Sequence, residues 1–518
     1  MNISYTIRSI TTKKGWILIG RKKEIALINK LCDTNNSKLV VVHGRRRIGK
    51  TYLVNYMFTN NRDDCIFFEY TGSDDQDADT QRLNFVESIY DWFKQEPTKE
   101  ISTWAEAFIF LKRVIENEIE QKNHKGKVVL FIDEVAWIDK HNKAGFLSAF
   151  GHFYNTYCQK KENVITILCG SNASWIKNKI LKDTKGPLYQ RVDLEIAMLP
   201  FTLKETKEYL TKEKKFEIDN KTATDIYMIL GGVAKYLSFL DASLSVSQNI
   251  DNLFFNIAAP LFDEYDSLFK SLFYDKHAFH RHVVDLLCAK QSGFTIAELG
   301  LHIDKEQTDP TNKRLRNTIN ELIDTGFIKP LNKLHNKTKE TKYIISDPFC
   351  LFHYKWVKDL SKNDIVSLKN YFTHIVSTPS YVIWCGFAFE AVMMINIDLY
   401  LEQRGLAALY KNITYWQYSA NPDIEDDKGA QIDIVVEYQN NIYDIIECKY
   451  YNDEFIITKE YADNLRHKIA KFKEHAIKQK NRYELKLVML TTYGTKKNSH
   501  FNSLNISRDI TLEQLLDF

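Results

Sequence analysis

A glycine- and arginine-rich segment near the start of the chain has the residue types and spacing of a phosphate-binding loop. It reads Gly44-Arg45-Arg46-Arg47-Ile48-Gly49-Lys50-Thr51, in agreement with the pattern G-x-x-x-x-G-K-[ST]. In such a loop the backbone N–H groups surround phosphate oxygens, and the helix that follows adds a favourable dipole. We predict that Lys50 reaches the β and γ phosphates of a nucleoside triphosphate and that the Thr51 hydroxyl ligates Mg²⁺.

Two acidic residues supply the second half of this predicted site. Val128–Ile132 is apolar and is predicted to form a buried strand that is followed by Asp133 and Glu134. Asp133 would hold Mg²⁺ through a water molecule, and Glu134 would polarise the water that attacks the terminal phosphate. The structural alternative is a buried strand with two acids at its exposed end.

Three further residues are candidates for roles in hydrolysis. Ser171 and Asn172 follow the apolar segment Asn163–Cys169, where a polar side chain could sense the γ-phosphate, but a simple turn would also place them there. Arg191 could act as an arginine finger in a neighbouring subunit of a homo-oligomer, and the alternative is a surface salt bridge. Both interpretations depend on where these side chains lie relative to the loop.

A second set of residues that could bind a metal ion or act in catalysis lies toward the carboxyl end. Gly429–Glu437 and Tyr443–Tyr450 are predicted to be paired strands joined by a tight turn. Asp433 lies on the first strand, and Glu447 and Lys449 lie on the second. Two acids on paired strands can share one divalent cation, and Mg²⁺ is the natural choice for oxygen ligands. Glu447 and Lys449 are two residues apart and therefore point to the same face.

Lys449 and Glu390 complete this second set. A lysine beside a bound cation can position, or help to deprotonate, a water molecule that attacks a phosphodiester. Glu390, in an apolar helical segment, is a candidate fourth polar group and metal ligand. The structural alternative is an ordinary cross-strand Glu–Lys pair. The apolar neighbours Ile445, Ile446 and Cys448 argue for burial instead of a solvated pair.

The elements that must position the first site alternate along the chain. Four short segments rich in Val and Ile are predicted to be parallel strands separated by helices, namely Lys38–His43, Cys65–Tyr70, Lys127–Asp133 and Asn163–Cys169. A helix over Thr51–Phe58 is predicted directly after the loop. From Leu203 to Glu264 the strand pattern gives way to helices, which indicates an α/β core followed by a small helical lid.

Three predicted helices and a hairpin lie between the two sites. The helical segments are His282–Lys290, Thr295–Leu301 and Thr311–Thr325, ended by Gly326, and the strands are Phe327–Leu331 and Tyr343–Ile345. This combination predicts a winged helix-turn-helix. Lys313, Arg314 and Arg316 lie early in the third helix, where a DNA-reading helix makes its contacts, although winged helices also dock proteins.

Two segments near the second site are rich in basic residues. Residues 311–343 hold eight Lys and Arg against three acids, and residues 459–482 have the same balance. Contact with nucleic-acid phosphates is the functional interpretation, and a solvated charged face is the structural one.

Composition and charge exclude several classes of protein. The chain has 518 residues with 70 Lys+Arg, 67 Asp+Glu, 19 Gly and 9 Pro, which rules out a collagen-like, a Pro/Gly-rich disordered or a polybasic chromatin-type protein. None of the eight cysteines has C-x-x-C spacing, so neither a zinc ribbon nor a disulfide scaffold is indicated. Tyr381–Leu401 is apolar over a membrane-spanning length, but three polar residues interrupt it and favour a buried helix, namely Glu390, Asn396 and Asp398. We expect a cytoplasmic protein without a membrane partner.

Several strings in the first half resemble the archaeal-type AAA+ ATPases of prokaryotes, which are related to the STAND and origin-recognition ATPases. They are GRRRIGKT, Gly20-Arg21-Lys22-Lys23-Glu24, LFIDEVAWI, GSNASWI, LPFTLKE and Gly231-Gly232-Val233, and they cover residues 15–240. The resemblance implies ATP as the nucleotide and places Gly20 and Arg21 at the start of a helix next to the adenine. The family's Gly-Gly-x-Pro motif contacts nucleotide from the lid, but here Ala234 stands where the proline would be.

The carboxyl-terminal strands resemble the PD-(D/E)xK nuclease superfamily. The matching strings are Ile432-Asp433-Ile434-Val435 and Glu447-Cys448-Lys449, with Ser346-Asp347-Pro348-Phe349 at the entry, and the resemblance covers residues 345–500. The ATPase family commonly carries such a nuclease-like domain after a winged helix. The resemblance implies that Asp433, Glu447 and Lys449 act in metal-dependent DNA cleavage.

Together these features predict a multidomain α/β protein. It would combine an AAA+-like P-loop NTPase parallel sheet and helical lid with a winged helix-turn-helix and a C-terminal α/β domain like that of restriction endonucleases. The predicted boundaries are 15–202 for the ATPase domain, 203–264 for the lid, 265–346 for the winged helix and 347–518 for the connector and nuclease-like domain.

The leading hypothesis is an enzyme that hydrolyses ATP with Mg²⁺ and couples its nucleotide state to DNA binding and metal-dependent DNA cleavage. One alternative is an ATP-dependent switch whose C-terminal domain is catalytically silent. Another is a transcriptional regulator in which the winged helix reads DNA and the nuclease-like fold only grips it. DNA-stimulated ATP turnover would distinguish the enzyme from the switch.

Overall fold

The chain separates into two compact units, Met1–Leu199 and Pro200–Phe518. The computed structural model describes residues 17–60, 65–139, 145–303, 313–334, 340–367, 370–477 and 482–517. Within the described residues, the first unit carries a five-stranded sheet and the second a seven-stranded sheet. The four predicted domain boundaries stay a prediction.

The first unit is built around a parallel sheet. Its strands are β1 (Lys38–His43), β2 (Cys65–Thr71), β3 (Lys127–Asp133), β4 (Val164–Gly170) and β5 (Leu194–Ala197). Its helices are α1 (Lys22–Cys32), α2 (Lys50–Asn55), α3 (Ala78–Phe93), α4 (Trp104–Gln121), α5 (Val135–Ile138), α6 (Phe146–Thr156) and α7 (Ala173–Ile176). The strands lie in the order β2-β3-β4-β1-β5, and each adjacent pair is parallel.

The central strands are apolar on both faces because helices cover both sides of the sheet. In β1, Leu39 and Val41 pack into an aromatic-rich core with α3, α4 and α6, whereas Val40 and Val42 face a core with α1 and α2. The four predicted strands are confirmed to within one residue at each end. β5 lies outside that prediction because it is a short edge strand whose burial alternates.

The helix after the loop is shorter than predicted. α2 ends at Asn55, and one π-helical turn, Tyr56–Asn60, follows it where the sequence predicts a helix to Phe58. The helical segment as a whole therefore has nearly the predicted extent, with a wider last turn.

The second unit begins with helices and ends in a mixed sheet. Its helices are α8 (Leu203–Glu208), α9 (Asn220–Leu230), α10 (Ala234–Ser238), α11 (Val246–Phe254), α12 (Glu264–Phe273), α13 (His277–Ala289), α14 (Ile296–His302), α15 (Lys313–Asp324), α16 (Pro348–Trp356), α17 (Lys362–Ser367), α18 (Tyr371–Ile375), α19 (Pro379–Ile395), α20 (Ile397–Gln403), α21 (Lys459–Ala476), α22 (Ser499–Ser503) and α23 (Leu512–Leu516). Its strands are β6 (Ile328–Lys333), β7 (Lys342–Ile345), β8 (Tyr410–Tyr418), β9 (Ala430–Tyr438), β10 (Ile442–Lys449), β11 (Glu484–Thr491) and β12 (Arg508–Thr511). The strand order is β12-β11-β10-β9-β8-β6-β7.

The predicted helices and hairpin between the two sites are present. α13, α14 and α15 pack on one another, and β6 and β7 pair antiparallel with Ile328 opposite Ile345. The first two residues of the predicted third helix lie outside the described residues. β6 also pairs in parallel with β8, so the hairpin continues into the carboxyl-terminal sheet.

The apolar segment Tyr381–Leu401 forms two helices instead of the single helix that its composition predicts. α19 and α20 are bent by 63°. Asn396 lies at the break, where its amide oxygen accepts the Leu203 N–H at 2.8 Å and its amide nitrogen donates to the Val392 carbonyl at 2.9 Å. In the described part of the chain no single helix is long and apolar enough to cross a membrane, although this bent pair passes by length and composition.

The helices that open the second unit pack against its carboxyl end. α9 contacts α16, α19 and α23. Asp225 of α9 accepts a hydrogen bond from the hydroxyl of Tyr450, the residue after β10, and the Lys221 ammonium lies 4.8 Å from the centre of the same ring. Residues of the predicted lid therefore share one hydrophobic core with the carboxyl-terminal sheet.

Candidate functional site

The predicted phosphate-binding loop, Gly44–Gly49, connects β1 to α2 and passes very close to neighbouring backbone. Gly44 has a φ of +146°, and a Cβ built on it would lie 2.2 Å from the Met198 carbonyl oxygen, so only glycine fits. Arg47 has a φ of +71°, which non-glycine residues rarely adopt. The loop is thus held in a strained shape of the kind found where backbone N–H groups form an anion site.

Lys50 lies inside this loop. Its side chain is only 5% exposed, and its ammonium donates hydrogen bonds to the carbonyl oxygens of Gly44 at 2.9 Å and Arg45 at 3.0 Å. These contacts fix the charge at the start of α2. A phosphate group that enters the loop would therefore meet both the ammonium and the positive end of the helix dipole.

Thr51 and Asp133 meet in this site. The Thr51 hydroxyl donates to a carboxylate oxygen of Asp133 at 2.5 Å. Asp133 is the last residue of β3 and is buried. A hydroxyl and a carboxylate oxygen are the hard oxygen donors that Mg²⁺ prefers. The pair fits the predicted cation, which would take the place of their direct hydrogen bond.

Glu134 is held in place by Ser171. Its Oε2 accepts hydrogen bonds from the Ser171 N–H at 2.9 Å and the Ser171 hydroxyl at 2.7 Å. Its φ of +47° is unusual for a residue with a side chain. Burial raises the pKa of Glu134, while the nearby Lys50 charge opposes that rise. A carboxyl group with a raised pKa in a nucleotide site is suited to accept a proton from water.

Ser171 and Asn172 make contacts other than the predicted contact with the γ-phosphate. The Ser171 hydroxyl is used by Glu134, and Asn172 caps α7 by accepting the Trp175 N–H at 2.9 Å. The sequence does not reveal the contact of Ser171 with Glu134, and sensing of the γ-phosphate by Ser171 or Asn172 stays a prediction. Arg191 is exposed in the turn before β5, and its role in a neighbouring subunit stays a prediction.

Arg21 forms hydrogen bonds that hold the loop in position. It precedes α1 with a φ of +56°, and its guanidinium donates to the carbonyl oxygens of Ile48 at 3.0 Å and Leu199 at 2.7 Å. Gly20, directly before it, also has a positive φ. These contacts make Arg21 a positioning residue for the loop, and the contact of Gly20 and Arg21 with adenine stays a prediction.

The side chains of the loop point into different surroundings. Arg45 is buried, the Arg46 guanidinium lies 5.1 Å from the centre of the Trp137 ring, and Arg47 is exposed. Ile48 is buried in the core beneath the loop, so any contact of Ile48 with nucleotide would have to come from its backbone.

The Gly231-Gly232 pair has a packing role in the second unit. A Cβ on Gly232 would lie 1.9 Å from the Phe201 carbonyl oxygen, and the Phe201 N–H donates to the Gly232 carbonyl at 2.8 Å. Gly231 ends α9 with a φ of +60°. Local packing explains both glycines, and a nucleotide contact from this motif stays a prediction.

The second set of predicted residues comes together on β9 and β10. The antiparallel register pairs Ile446 with Ile434, and its continuation sets Glu447 opposite Asp433. The Cys448 N–H donates to Asp433 at 2.9 Å. Glu447 and Lys449 share the face of the sheet on which Tyr443 and Ile445 pack with α21. The predicted hairpin and its shared face are present.

Two residues of α21, Tyr461 and Lys468, complete this site and were missed by the sequence prediction. Lys468 donates to both carboxylate oxygens of Glu447 at 2.8 Å, and the Tyr461 hydroxyl donates to one of them at 3.1 Å. The Lys449 ammonium lies 5.1 Å from the centre of the Tyr461 ring. Helical spacing could have predicted that Lys468 is buried, because Lys468 falls on the apolar face of α21 that carries the buried Leu465 and Phe472.

Burial dominates the electrostatics of this second site. Glu447 is fully buried, and burial, with Asp433 next in importance, raises the pKa of its carboxyl group. The same two causes raise the pKa of Glu390 on α19. Burial lowers the pKa of Lys468, but the charges of Glu447, Asp433 and Glu390 and the hydrogen bond to Glu447 together outweigh this, so the pKa of Lys468 is raised overall.

The carboxylates of this site do not converge on one point. Within the residues that the structure describes, no group of three or more His, Cys, Asp or Glu side chains is spaced to hold a metal ion. Asp433, Glu447 and Glu390 supply the right oxygen donors, but Glu447 is paired with Lys468. A cation could use both strands only if it displaced that pair.

Several lysines of the two predicted basic surfaces are buried or bonded to other groups of the protein. Lys329 donates to a backbone carbonyl at 2.5 Å, and burial lowers its pKa to about 8. Lys342 is largely buried. On α21, Lys468 and Lys471 form ion pairs with buried carboxylates. The positive surface available to phosphates is therefore smaller than the residue count suggests.

The predicted recognition helix, α15, keeps its first basic residues on the surface. Lys313, Arg314 and Arg316 are exposed. The Arg314 guanidinium stacks 4.0 Å from the centre of the Phe279 ring on α13, so this residue also holds two helices together. A DNA contact by these three residues stays a prediction.

Several known proteins are similar to parts of this chain. An uncharacterized protein of Methanocaldococcus jannaschii is 25% identical over 343 residues, which are 66% of this chain and 69% of that protein. A Walker-type ATPase of Pyrococcus abyssi matches with a TM-score of 0.45 and 17% identity over 65% of this chain and 96% of that one. Cdc6p of Pyrobaculum aerophilum matches with a TM-score of 0.30 and 15% identity over 70% and 96% of the two chains.

A family model covers the first site. Residues 18–240 match the family described as an ATPase domain predominantly from Archaea. This range contains the loop Gly44–Gly49, Asp133, Glu134 and Ser171, and it agrees with the resemblance predicted from the sequence strings. Residues 18–240 are therefore similar to an archaeal-type ATPase domain.

Proposed function

We propose that this chain binds ATP with Mg²⁺ and hydrolyses it at the site formed by Gly44–Thr51, Asp133 and Glu134. The observation that carries the proposal is the contact of Thr51 with Asp133 beside a Glu134 that Ser171 holds in place. Lys50 would stabilise charge on the transferred phosphate, and Glu134 would take a proton from the attacking water. Thr51 would ligate Mg²⁺ and Asp133 would hold it through a water molecule, which would supply positive charge beside the β and γ phosphates.

The variant Glu134→Gln tests this proposal because it keeps the shape of the side chain and removes its basicity. We expect ATP turnover to fall about 10²–10⁴-fold, the usual contribution of a general base, while binding of a fluorescent ATP analogue is retained. The matched control is Glu116→Gln, since Glu116 is exposed on α4. Turnover at the control rate in Glu134→Gln would contradict the role of Glu134.

We further propose that Asp433, Glu447 and Lys449 form a metal-dependent site that cleaves DNA. Support comes from two carboxylates and a lysine on paired strands, with Glu390 close enough that Asp433 adds to the rise in the pKa of Glu390 that burial causes. A divalent cation on these carboxylates would act as a Lewis acid at the phosphodiester. Lys449 would orient the attacking water or help to deprotonate it.

Nucleotide state would be coupled to this second site through the segments between them. We assign a lid to residues 203–264, a DNA-binding winged helix to residues 265–346 and a nuclease-like domain to residues 347–518. Support comes from the three packed helices α13–α15, the hairpin that follows them and the exposed basic start of α15. The same proposal includes a homo-oligomer in which Arg191 acts as an arginine finger in a neighbouring subunit.

A cleavage assay on linear and supercoiled DNA tests both parts. It is run with Mg²⁺ or Mn²⁺, with and without ATP, on the wild type, Lys449→Ala, Lys50→Ala and the control Lys473→Ala on the exposed side of α21. We expect cleavage to disappear in Lys449→Ala with ATP turnover intact, and its ATP dependence to disappear in Lys50→Ala. Unchanged cleavage in Lys449→Ala would exclude the nuclease assignment, and wild-type cleavage indifferent to ATP would exclude the coupling.

A catalytically silent carboxyl-terminal site is the second candidate. It is favoured by Lys468, which occupies both oxygens of Glu447 where a cation would bind. The protein would then be an ATP-dependent switch or a DNA-binding regulator. Slow turnover with tight nucleotide retention, or sequence-specific protection of DNA without nicking, would support this candidate, whereas strong stimulation of turnover by DNA would count against the switch.

A further inference from the structure

A cleft opens beside the second site, within the second unit. Its volume is about 760 Å³, in the range of pockets that bind small ligands. Glu390 and Asp433 line it together with apolar residues of α19 and with Gln417 and Gln431 of the neighbouring strands. The cleft therefore joins a charged region to an apolar one.

The apolar wall is made by consecutive turns of α19. Ile383 is 62% exposed and Phe387 is 46% exposed, and Trp384 is buried beneath them. Phe387 lies three residues before Glu390, so its ring and that carboxyl group are neighbours on the helix surface. An exposed aromatic face next to carboxylates is a surface on which a flat, apolar group can stack.

A second, more polar cleft meets the first one at this point. Its volume is about 400 Å³, and it shares Phe387, Glu390 and Asp433 with the first cleft. It continues past Asn464 and Lys468 of α21. The two clefts together offer a stacking surface and amide groups for a polar edge, which are the groups that a nucleotide base requires.

We propose that the apolar cleft holds an unpaired base of a DNA strand whose phosphodiester lies at Asp433 and Glu447. The base would stack on Phe387, and its edge would face the amides of Gln417 and Gln431. Because a base inside a duplex is stacked on both faces, only a single strand, an overhang or a frayed end presents such a group. This inference rests on the proposed DNA-cleaving function and names its substrate class.

The test compares binding of three fluorescent DNA probes by anisotropy: a single strand, the same sequence with an overhang, and a blunt duplex. Ca²⁺ replaces Mg²⁺ so that the probes stay intact. The full-length wild type is compared with Phe387→Ala and with Val382→Ala, which alters a 63% exposed residue of the same helix that lines neither cleft. Cleavage of the same probes with Mg²⁺ by the wild type and Lys449→Ala is measured in parallel.

We expect the wild type to prefer the single strand and the overhang to the blunt duplex. Phe387→Ala should weaken their binding about tenfold, the lower part of the range for a base stacked on an aromatic ring, and Val382→Ala should leave it unchanged. A loss of binding in Phe387→Ala that is equal for the single strand and the blunt duplex, or equal binding by both variants, would overturn the inference even if Lys449-dependent cleavage is observed. Phe387-dependent binding without any cleavage would support the base cleft and overturn the nuclease proposal instead.

Discussion

The two candidate sites use different parts of the polypeptide to hold charge. The ATP site is shaped by backbone, with a glycine that no side chain can replace at Gly44 and left-handed conformations at Arg47 and Glu134. The carboxyl-terminal site is shaped by side chains from separate elements, in which Glu447 is held by Tyr461 and Lys468. The difference implies that steric changes should damage the first site most and that charge changes should damage the second.

The largest expected effect is on the second site, in Lys468→Met. Removal of the lysine leaves the fully buried Glu447 without its cation, and breaking a buried pair costs about 3–5 kcal/mol. We expect the free energy of unfolding of the second unit, measured in urea, to fall by about 4 kcal/mol. The double variant Glu447→Gln with Lys468→Met should recover most of this loss. A loss no larger than that of the exposed control Lys473→Met would show that the pair does not stabilise the sheet.

The matching test on the first site is the steric change Gly44→Ala. The new methyl group would meet the Met198 carbonyl in a backbone conformation that alanine disfavours, so we expect a loss of about 3 kcal/mol and loss of ATP binding. The control is Gly145→Ala, which has a φ of +68° but open space around its Cβ and should cost only about 1 kcal/mol. Both changes are measured by thermal unfolding and by binding of a fluorescent nucleotide. Equal costs would mean that contact with Met198 is not what specifies the loop.

A pH titration should distinguish the two units through His353 of α16. Burial lowers the pKa of His353 to about 4, helped by Lys358 and Arg281 and opposed by Asp266, and its ring stacks 4.3 Å from that of Tyr265. Between pH 6.5 and 4 the unfolded chain therefore binds a proton that the folded chain excludes. The free energy of unfolding of the second unit should therefore decrease as the pH is lowered from 6.5 to 4, by at most about 3 kcal/mol.

The variant His353→Gln carries no such proton and serves as the comparison. Its unfolding free energy should depend less on pH than that of the wild type between pH 6.5 and 4, with the curves parallel above pH 7. Parallel curves over the whole range would mean that another group causes the acid sensitivity.

The smallest effect is expected for Ser171→Ala at the ATP site. The Ser171 N–H still holds Glu134, and only the hydrogen bond from the hydroxyl is lost. We expect ATP turnover to fall about tenfold, equivalent to about 1.4 kcal/mol, with nucleotide affinity unchanged. Ser88→Ala on α3 is the control, since its hydroxyl bonds only its own helix. An unchanged rate would show that the backbone N–H alone positions Glu134.

The sequence predicts well those features that are formed by residues close together in the chain. The loop, four strands of its sheet and the paired strands around Asp433 and Glu447 follow from spacing and burial pattern, which are local properties. β5 has only four residues, which are too few for its alternating burial to predict a strand. At the break between α19 and α20, Asn396 bonds Leu203, which is distant in the chain and which no local pattern reveals.

The residues that the prediction missed are those whose partners are remote. Lys468 was counted within a basic surface because its partner, Glu447, lies on another element. The contact of Ser171 with Glu134 joins the ends of neighbouring strands, and no local motif signals it. Charge counts along a helix predict a surface only when the helical face of each residue is considered as well.

The close approach of Gly232 to Phe201 has a consequence for how relatives of this protein diverge. A position that tolerates no side chain is kept by purifying selection on the fold alone, whatever happens to ligand binding. Conservation of Gly232 among relatives would therefore not be evidence that the motif senses nucleotide. The informative position is Ala234, which stands where the Gly-Gly-x-Pro motif has its proline.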